Sequence, residues 1–398
     1  MELFSVGSLK VLVKKKRDWP IVSGVLFFPS GASADRVEGL SLLSLRVLTK
    51  SRPEGFKEEF FEIQEKLGAS FSGDSSYDYS FVKFQSVKEG FGEYLWLLLR
   101  LISSPSLEER AFSVERDSLI AAIRSKRESP FTLAFEEVMR KTYAGTPYAR
   151  SIYGTEESVS SITLKDVKEW CSSLIFEDSV LSICGDIEPE DVYSVISQFE
   201  LSFSPFRSGS FDGSMRESGE VVIKRKGSAQ SFIMVALQAP SVAKESYPIY
   251  KLLNTILGEG IGSVLFQELR EKRGFAYSTG SIFPTRLATS RLLAYIGTSP
   301  DKEEEVKRSL HALLDSLPDF ITEETVSRAK SYFRGTYNLE RELAIKRAWF
   351  GGFWEILKKG YKYDDRFVEE ALSTTREQLL GAAEELSKSP RFTVVVNG

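Results

Sequence analysis

The chain opens twice in the same way. Lys10-Val11-Leu12-Val13-Lys14-Lys15-Lys16 leads into Ile21-Val22-Ser23-Gly24-Val25-Leu26-Phe27-Phe28-Pro29. Far downstream, Val221-Val222-Ile223-Lys224-Arg225-Lys226 leads into Phe232-Ile233-Met234-Val235-Ala236-Leu237. Each is a pair of β-rich runs followed by a region of helical periodicity. The two stretches also close alike, on Val180-Leu181-Ser182-Ile183-Cys184-Gly185 and on Phe392-Thr393-Val394-Val395-Val396-Asn397-Gly398. Among the helices between, one begins at Ser106, where Glu109 completes a capping-box spacing, and runs towards Arg127; another spans about Thr322 through Ala344. Leu201 to Ser214 is rich in Ser, Gly and Pro without periodicity and reads as a linker. This divides the chain into a domain at 1–200, a linker at 201–219 and a domain at 220–398. A repeat of this kind predicts an α+β protein of two homologous domains, each a mixed, mainly antiparallel sheet packed with helices.

Composition narrows the function. The 398 residues, 42% hydrophobic with a net charge of -4, are too many for one typical core and carry no general basic field for nucleic acid. The densest apolar run, Tyr94 to Ile102, is short and interrupted by Arg100, which predicts a core helix and no transmembrane segment. Met1 to Gly7 runs straight into a strand-like segment without a secretory pattern, so the default compartment is the cytoplasm, with the periplasm as the alternative after removal of a leader. Cys171 and Cys184 lack CxxC spacing and are expected as buried thiols. The single histidine, His311, flanks a helical stripe of Val306, Leu310, Leu313 and Leu317 and is expected to be structural. One imidazole excludes a histidine-rich zinc site; carboxylate-only magnesium or calcium sites stay open, though no EF-hand spacing appears, and no cofactor is expected in this chain. Gly258 to Gly262 lacks the Gly-Lys-Ser/Thr ending of a phosphate loop and reads as a turn before a helix.

Several segments together carry a family resemblance over nearly the whole chain. Gly39-Leu40-Ser41-Leu42-Leu43-Ser44-Leu45-Arg46 resembles the metal helix of the mitochondrial-processing-peptidase and insulinase family of zinc metallopeptidases, which bears His-x-x-Glu-His. Leu42 and Arg46 fall at the two histidines and Leu45 at the general-base glutamate. Leucine has no lone pair for zinc and a guanidinium repels it. Leu67 to Ser76 resembles the segment that follows, with Ser72 where the family commonly has asparagine. Val114 to Ile123 resembles the helix of the third ligand, with Glu115 retained and Ala122 in the ligand's place. Tyr143-Ala144-Gly145-Thr146-Pro147-Tyr148 and Gly154 to Ser158 resemble the loop into the next helix, and Ile321 to Lys330 a later helix. Leu257 to Ser278, including Gln267-Glu268-Leu269-Arg270-Glu271-Lys272-Arg273-Gly274-Phe275-Ala276-Tyr277, is similar to the family's C-terminal signature almost position by position.

The resemblance implies half of a peptidase clamshell. In the paired form of the family, one chain holds zinc while its partner supplies an arginine and a tyrosine that hold the substrate peptide; Arg270 and Tyr277 match that pair. The expected function is therefore a non-catalytic, substrate-binding subunit of a heterodimeric zinc metallopeptidase. Zinc belongs to a homologous partner with His-x-x-Glu-His, and peptides or unfolded polypeptides are the substrate. A structural subunit of a larger complex and a homodimeric peptide-binding module are the alternatives. A charge on the helix that carries Arg46 needs water, a carboxylate or a substrate acceptor, and the family geometry makes Glu115 the expected ion-pair partner of Arg46, ahead of a substrate contact.

Overall fold

The computed structural model describes residues 1–57, 59–174, 178–199, 211–215, 218–225 and 230–397. The first half contributes β1 (Glu2–Val6), β2 (Leu9–Lys15), β3 (Ile21–Phe28), the short β4 (Arg52–Pro53), β5 (Ser70–Ser75), β6 (Ser80–Val87), the short β7 (Pro105–Ser106) and β8 (Val180–Gly185). The second contributes β9 (Gly219–Lys224), β10 (Ser231–Ala239), β11 (Ser278–Ile282), β12 (Ser290–Thr298) and β13 (Arg391–Asn397).

The duplication is explicit in the sheets. The first runs β1-β2-β8-β3-β6-β5 and the second, read the same way, β9-β13-β10-β12-β11. In each, the strand that closes the half lies parallel to an early strand (β8 on β2, β13 on β9) and antiparallel to the next (β3, β10). The remaining pairs are antiparallel, so both sheets are mixed and mainly antiparallel. Central strands read as continuous apolar runs because helices cover both their faces, while the edge strands β5 and β9 alternate buried or half-buried with exposed residues.

Two compact units emerge, and neither is a contiguous half. One comprises 1–124, 150–209 and 340–364; the other comprises 125–149, 210–339 and 365–398. The helix Ala344–Ile356 from the second half packs on β3 and β8 of the first sheet. Trp349 sits 5.0 Å from the Phe27 ring and 4.6 Å from Phe81, and Gly352 lies so close to Phe27 that a β-carbon there would reach 2.5 Å from the ring. Reciprocally, the helix Pro130–Thr142 packs on β10 and β13 of the second sheet, with Phe131 against Phe232 at 5.6 Å.

Local outcomes follow the sequence in part. Tyr94 to Ile102 lies in the helix Phe91–Ser103, whose apolar face is in the first core, and among the described residues no helix is long and apolar enough to cross a membrane. The expected start of a helix at Ser106 is corrected: Ser106 is taken by pairing with Arg52, and the helix runs Glu109–Lys126. The helix expected through Ala344 breaks after Glu340, and a new one starts at Ala344. Both cysteines are buried, which pushes the Cys171 thiol up to about 12. His311 is half-buried beside Thr393 Oγ1 at 3.1 Å, and desolvation holds its pKa down.

Most of the expected linker at 201–219 lies outside the described residues. Its stretch 211–215 is fixed on the second unit. The Met215 amide donates to Gln238 Oε1 at 2.8 Å, and buried Arg291 donates from Nη2 to Gly213 O and Thr142 O, both at 2.7 Å.

Candidate functional site

One candidate place is the helix Leu40–Thr49 between β3 and β5. Its start is set by Gly39, whose φ of 88° is left-handed and where a β-carbon would stand 2.8 Å from Tyr153 O. Asp35 caps it from outside. Asp35 Oδ2 accepts from the Ser41 backbone amide at 3.0 Å and from Ser41 Oγ–H at 2.9 Å. The hydroxyls continue inward, Ser41 to Ser75 on β5 at 2.9 Å and Ser75 to Ser80 on β6 at 3.2 Å. Desolvation pushes the Asp35 carboxyl up to about 7, against the bonds from Ser41 and the nearby Arg150 guanidinium.

Leu42 and Leu45 are 2% and 0% exposed and belong to the first core. Gly73 of edge strand β5 lies against Leu45; a β-carbon on Gly73 would come within 3.0 Å of it. The place that the resemblance gives to the general base is thus occupied by packed hydrocarbon. Arg46 and Glu115 are both half-buried and, among the described residues, do not form the expected ion pair. Partial exposure gives each charge its own access to water, which removes the cost that would demand a partner. Ala122 is half-buried two turns along Glu115's helix, and Ser72 is exposed on β5. Zinc does not fit these residues: none at the three ligand positions can donate an electron pair to it.

The second place lies on the other unit. Phe266–Glu271 winds as a π-helical turn, a form without a local signal in residue periodicity and one frequent at functional sites. It carries Arg270, exposed, with its guanidinium 5.1 Å from the centre of the Phe266 ring. The turn ends through Gly274, where φ is 61°, while the Phe275 amide donates to Leu269 O at 2.9 Å. Tyr277 then enters the sheet: its amide donates to Gly297 O at 2.9 Å, immediately before edge strand β11. Its side chain stays 60% exposed. A tyrosine ring so open contributes little to the core, and both Arg270 and Tyr277 are presented to solvent as donors.

A buried helix with leucine where the resemblance places a metal ligand and the base, set in a duplicated α+β frame, defines a peptidase-like protein whose residues at these places do not suit zinc. The sequence matches the insulinase (peptidase family M16) model over residues 10–156 and the peptidase M16 inactive domain over 161–333. The chain belongs to peptidase family M16, as an inactive-subunit-like member. An uncharacterized zinc protease of Bacillus subtilis is 21% identical, with 88% of this chain and 86% of that protein aligned. A Helicobacter pylori protein described as the non-peptidase homolog YmxG is 24% identical, over 81% of this chain and 76% of its own length. Among solved structures, a peptidase M16 inactive domain from Pseudomonas fluorescens superposes with a TM-score of 0.88 at 21% identity, covering 100% of this chain and 97% of that one. A protease from Helicobacter pylori superposes with a TM-score of 0.89 at 18% identity, covering 100% and 99%. These superpositions bear out the two-domain α+β expectation.

Proposed function

We propose that this chain is the non-catalytic, substrate-binding subunit of a heterodimeric zinc metallopeptidase. One observation carries the reading: the zinc positions are filled by core-packed or non-ligating side chains, while Arg270 and Tyr277 stand exposed in an intact signature. A homologous partner with His-x-x-Glu-His would supply zinc and the glutamate that activate water for amide hydrolysis. The substrate, a short or unfolded peptide, would add as a strand to a sheet edge of that partner. Arg270's guanidinium fork and Tyr277's hydroxyl would donate to peptide carbonyls and steady the developing oxyanion.

The test has two stages. Capture of the native complex, read by mass spectrometry, should recover a stoichiometric homologue carrying His-x-x-Glu-His. In the reconstituted pair, Arg270→Ala should lower peptide cleavage by about 100-fold, the scale for loss of one transition-state donor, without dissociating the subunits. Normal turnover by that pair would remove Arg270 from the reaction; recovery of the chain alone would remove the partnership.

A further inference from the structure

The second unit contains a cleft that the substrate-holding pair does not use. It has a volume of about 350 Å³ and lies where the end of helix Tyr247–Gly258, the glycine-rich loop after it and helix Glu323–Glu340 meet. Its walls are largely apolar, from Ile256, Ile261, Ala329 and Tyr332. Ile261 is 76% exposed at the mouth, an unusual place for so large an aliphatic group. The glycines shape it. Gly260 has φ of 77°, and a β-carbon there would stand 2.7 Å from the Tyr332 ring; one on Gly262 would stand 2.8 Å from Arg328 Nε. Bare backbone therefore lets Tyr332 and Arg328 lie directly on the loop.

Charge says what the cleft accepts. Two ionised side chains line it, Glu259 and Arg328. Glu259 is engaged: Asn254 Nδ2 donates to Oε1 at 2.6 Å and Thr255 Oγ1 donates to Oε2 at 2.7 Å. The Lys251 amine, from about two turns earlier, also lies within electrostatic reach of it. Arg328 has no hydrogen bond or ion pair among the described residues. The cleft thus offers apolar walls with one uncommitted guanidinium, which suits a carboxylate attached to an apolar group. Gln267, on the π-helical turn of Arg270, donates from Nε2 to Ile261 O at 2.7 Å, so its carbonyl oxygen is left for a donor such as a peptide N–H.

We propose that this cleft binds the C-terminal residue of a peptide, with its apolar side chain against Ile256, Ile261 and Tyr332 and its free carboxylate on Arg328. The idea rests on the peptide-binding reading only in naming a peptide as the carrier of that carboxylate; it needs neither a partner subunit nor zinc. The purified chain would be titrated against a short fluorescent Gly-Ser peptide ending in leucine, as free acid and as C-terminal amide, with anisotropy as readout. The acid should bind about tenfold more tightly, the scale of one charge-assisted contact. Arg328→Gln should bring the acid to the affinity of the amide, and Ile261→Ser should weaken both forms, each variant melting close to wild type. Equal binding of acid and amide, an acid preference that survives Arg328→Gln, or no saturable binding would overturn the assignment. Displacement of the peptide by decanoate at lower concentration than by unlabelled peptide would overturn the peptide as occupant. Because the chain is tested alone, failure here is separable from failure of Arg270→Ala to slow the assembled pair.

Discussion

Asp35 is a buried carboxyl of the first unit whose titration the fold moves far from its ordinary range. It is 4% exposed, it holds the first turn of the Leu40–Thr49 helix, and its Oδ1 has no hydrogen-bond partner. Burial moves it from the ordinary value of 3.8 to about 7, so between those limits the folded chain keeps a proton that the unfolded chain has released. The sign follows: this group's contribution to stability is full below about pH 4 and is lost as pH rises through about 7. A shift of that size corresponds to something on the order of 4 kcal/mol. Asp35→Asn, which stays neutral and can still accept from the Ser41 amide, should flatten the fall in stability across this range. Urea unfolding of both proteins at several pH values measures it; parallel curves would mean that Asp35 does not titrate there. None of this was legible beforehand, since nothing in Ala34-Asp35-Arg36 distinguishes a buried cap from a surface aspartate.

At the scale of elements, the non-ligating character of the Leu40–Thr49 helix was legible because it lies in residue identity. Leu42, Leu45 and Arg46 have side chains that do not ligate zinc in any fold. That Arg46 and Glu115 stay unpaired was not legible, because whether a charge needs a partner depends on its depth, which the sequence leaves open. The π-helical turn under Arg270 was hidden too, since local periodicity does not separate it from an ordinary helical turn. The helix now works as a core element. Leu45→Glu, placing a carboxylate under Gly73, should destabilise the chain by roughly 3–5 kcal/mol. Chemical denaturation checks this, and a loss below about 1 kcal/mol would show that the site opens easily to water.

For the whole molecule, the opening and closing strands and the duplication could be read from the sequence, because apolar runs and their boundaries are local properties, whereas the order of strands within each sheet could not. Nor could the ownership of helices. Pro130–Thr142 and Ala344–Ile356 look like members of their own halves, yet each packs on the sheet built by the other half of the sequence. A chain cut to residues 1–200 leaves bare the aromatic face of Phe27, Tyr79 and Phe81 that Trp349 and Phe353 cover. Such a fragment should bind a hydrophobic dye strongly and melt without cooperativity, and fusion of 340–364 should restore a sharp transition. A cooperative monomeric melt from 1–200 alone would make that helix dispensable. The same exchange governs how the protein is made. At about 5–20 residues per second, β3 leaves the ribosome on the order of tens of seconds before the helix that seals it. During that interval the nascent first sheet carries an uncovered aromatic face, so the unit that begins the chain is finished almost as late as the unit that ends it, and its safe passage falls to whatever binds nascent polypeptides in the cell.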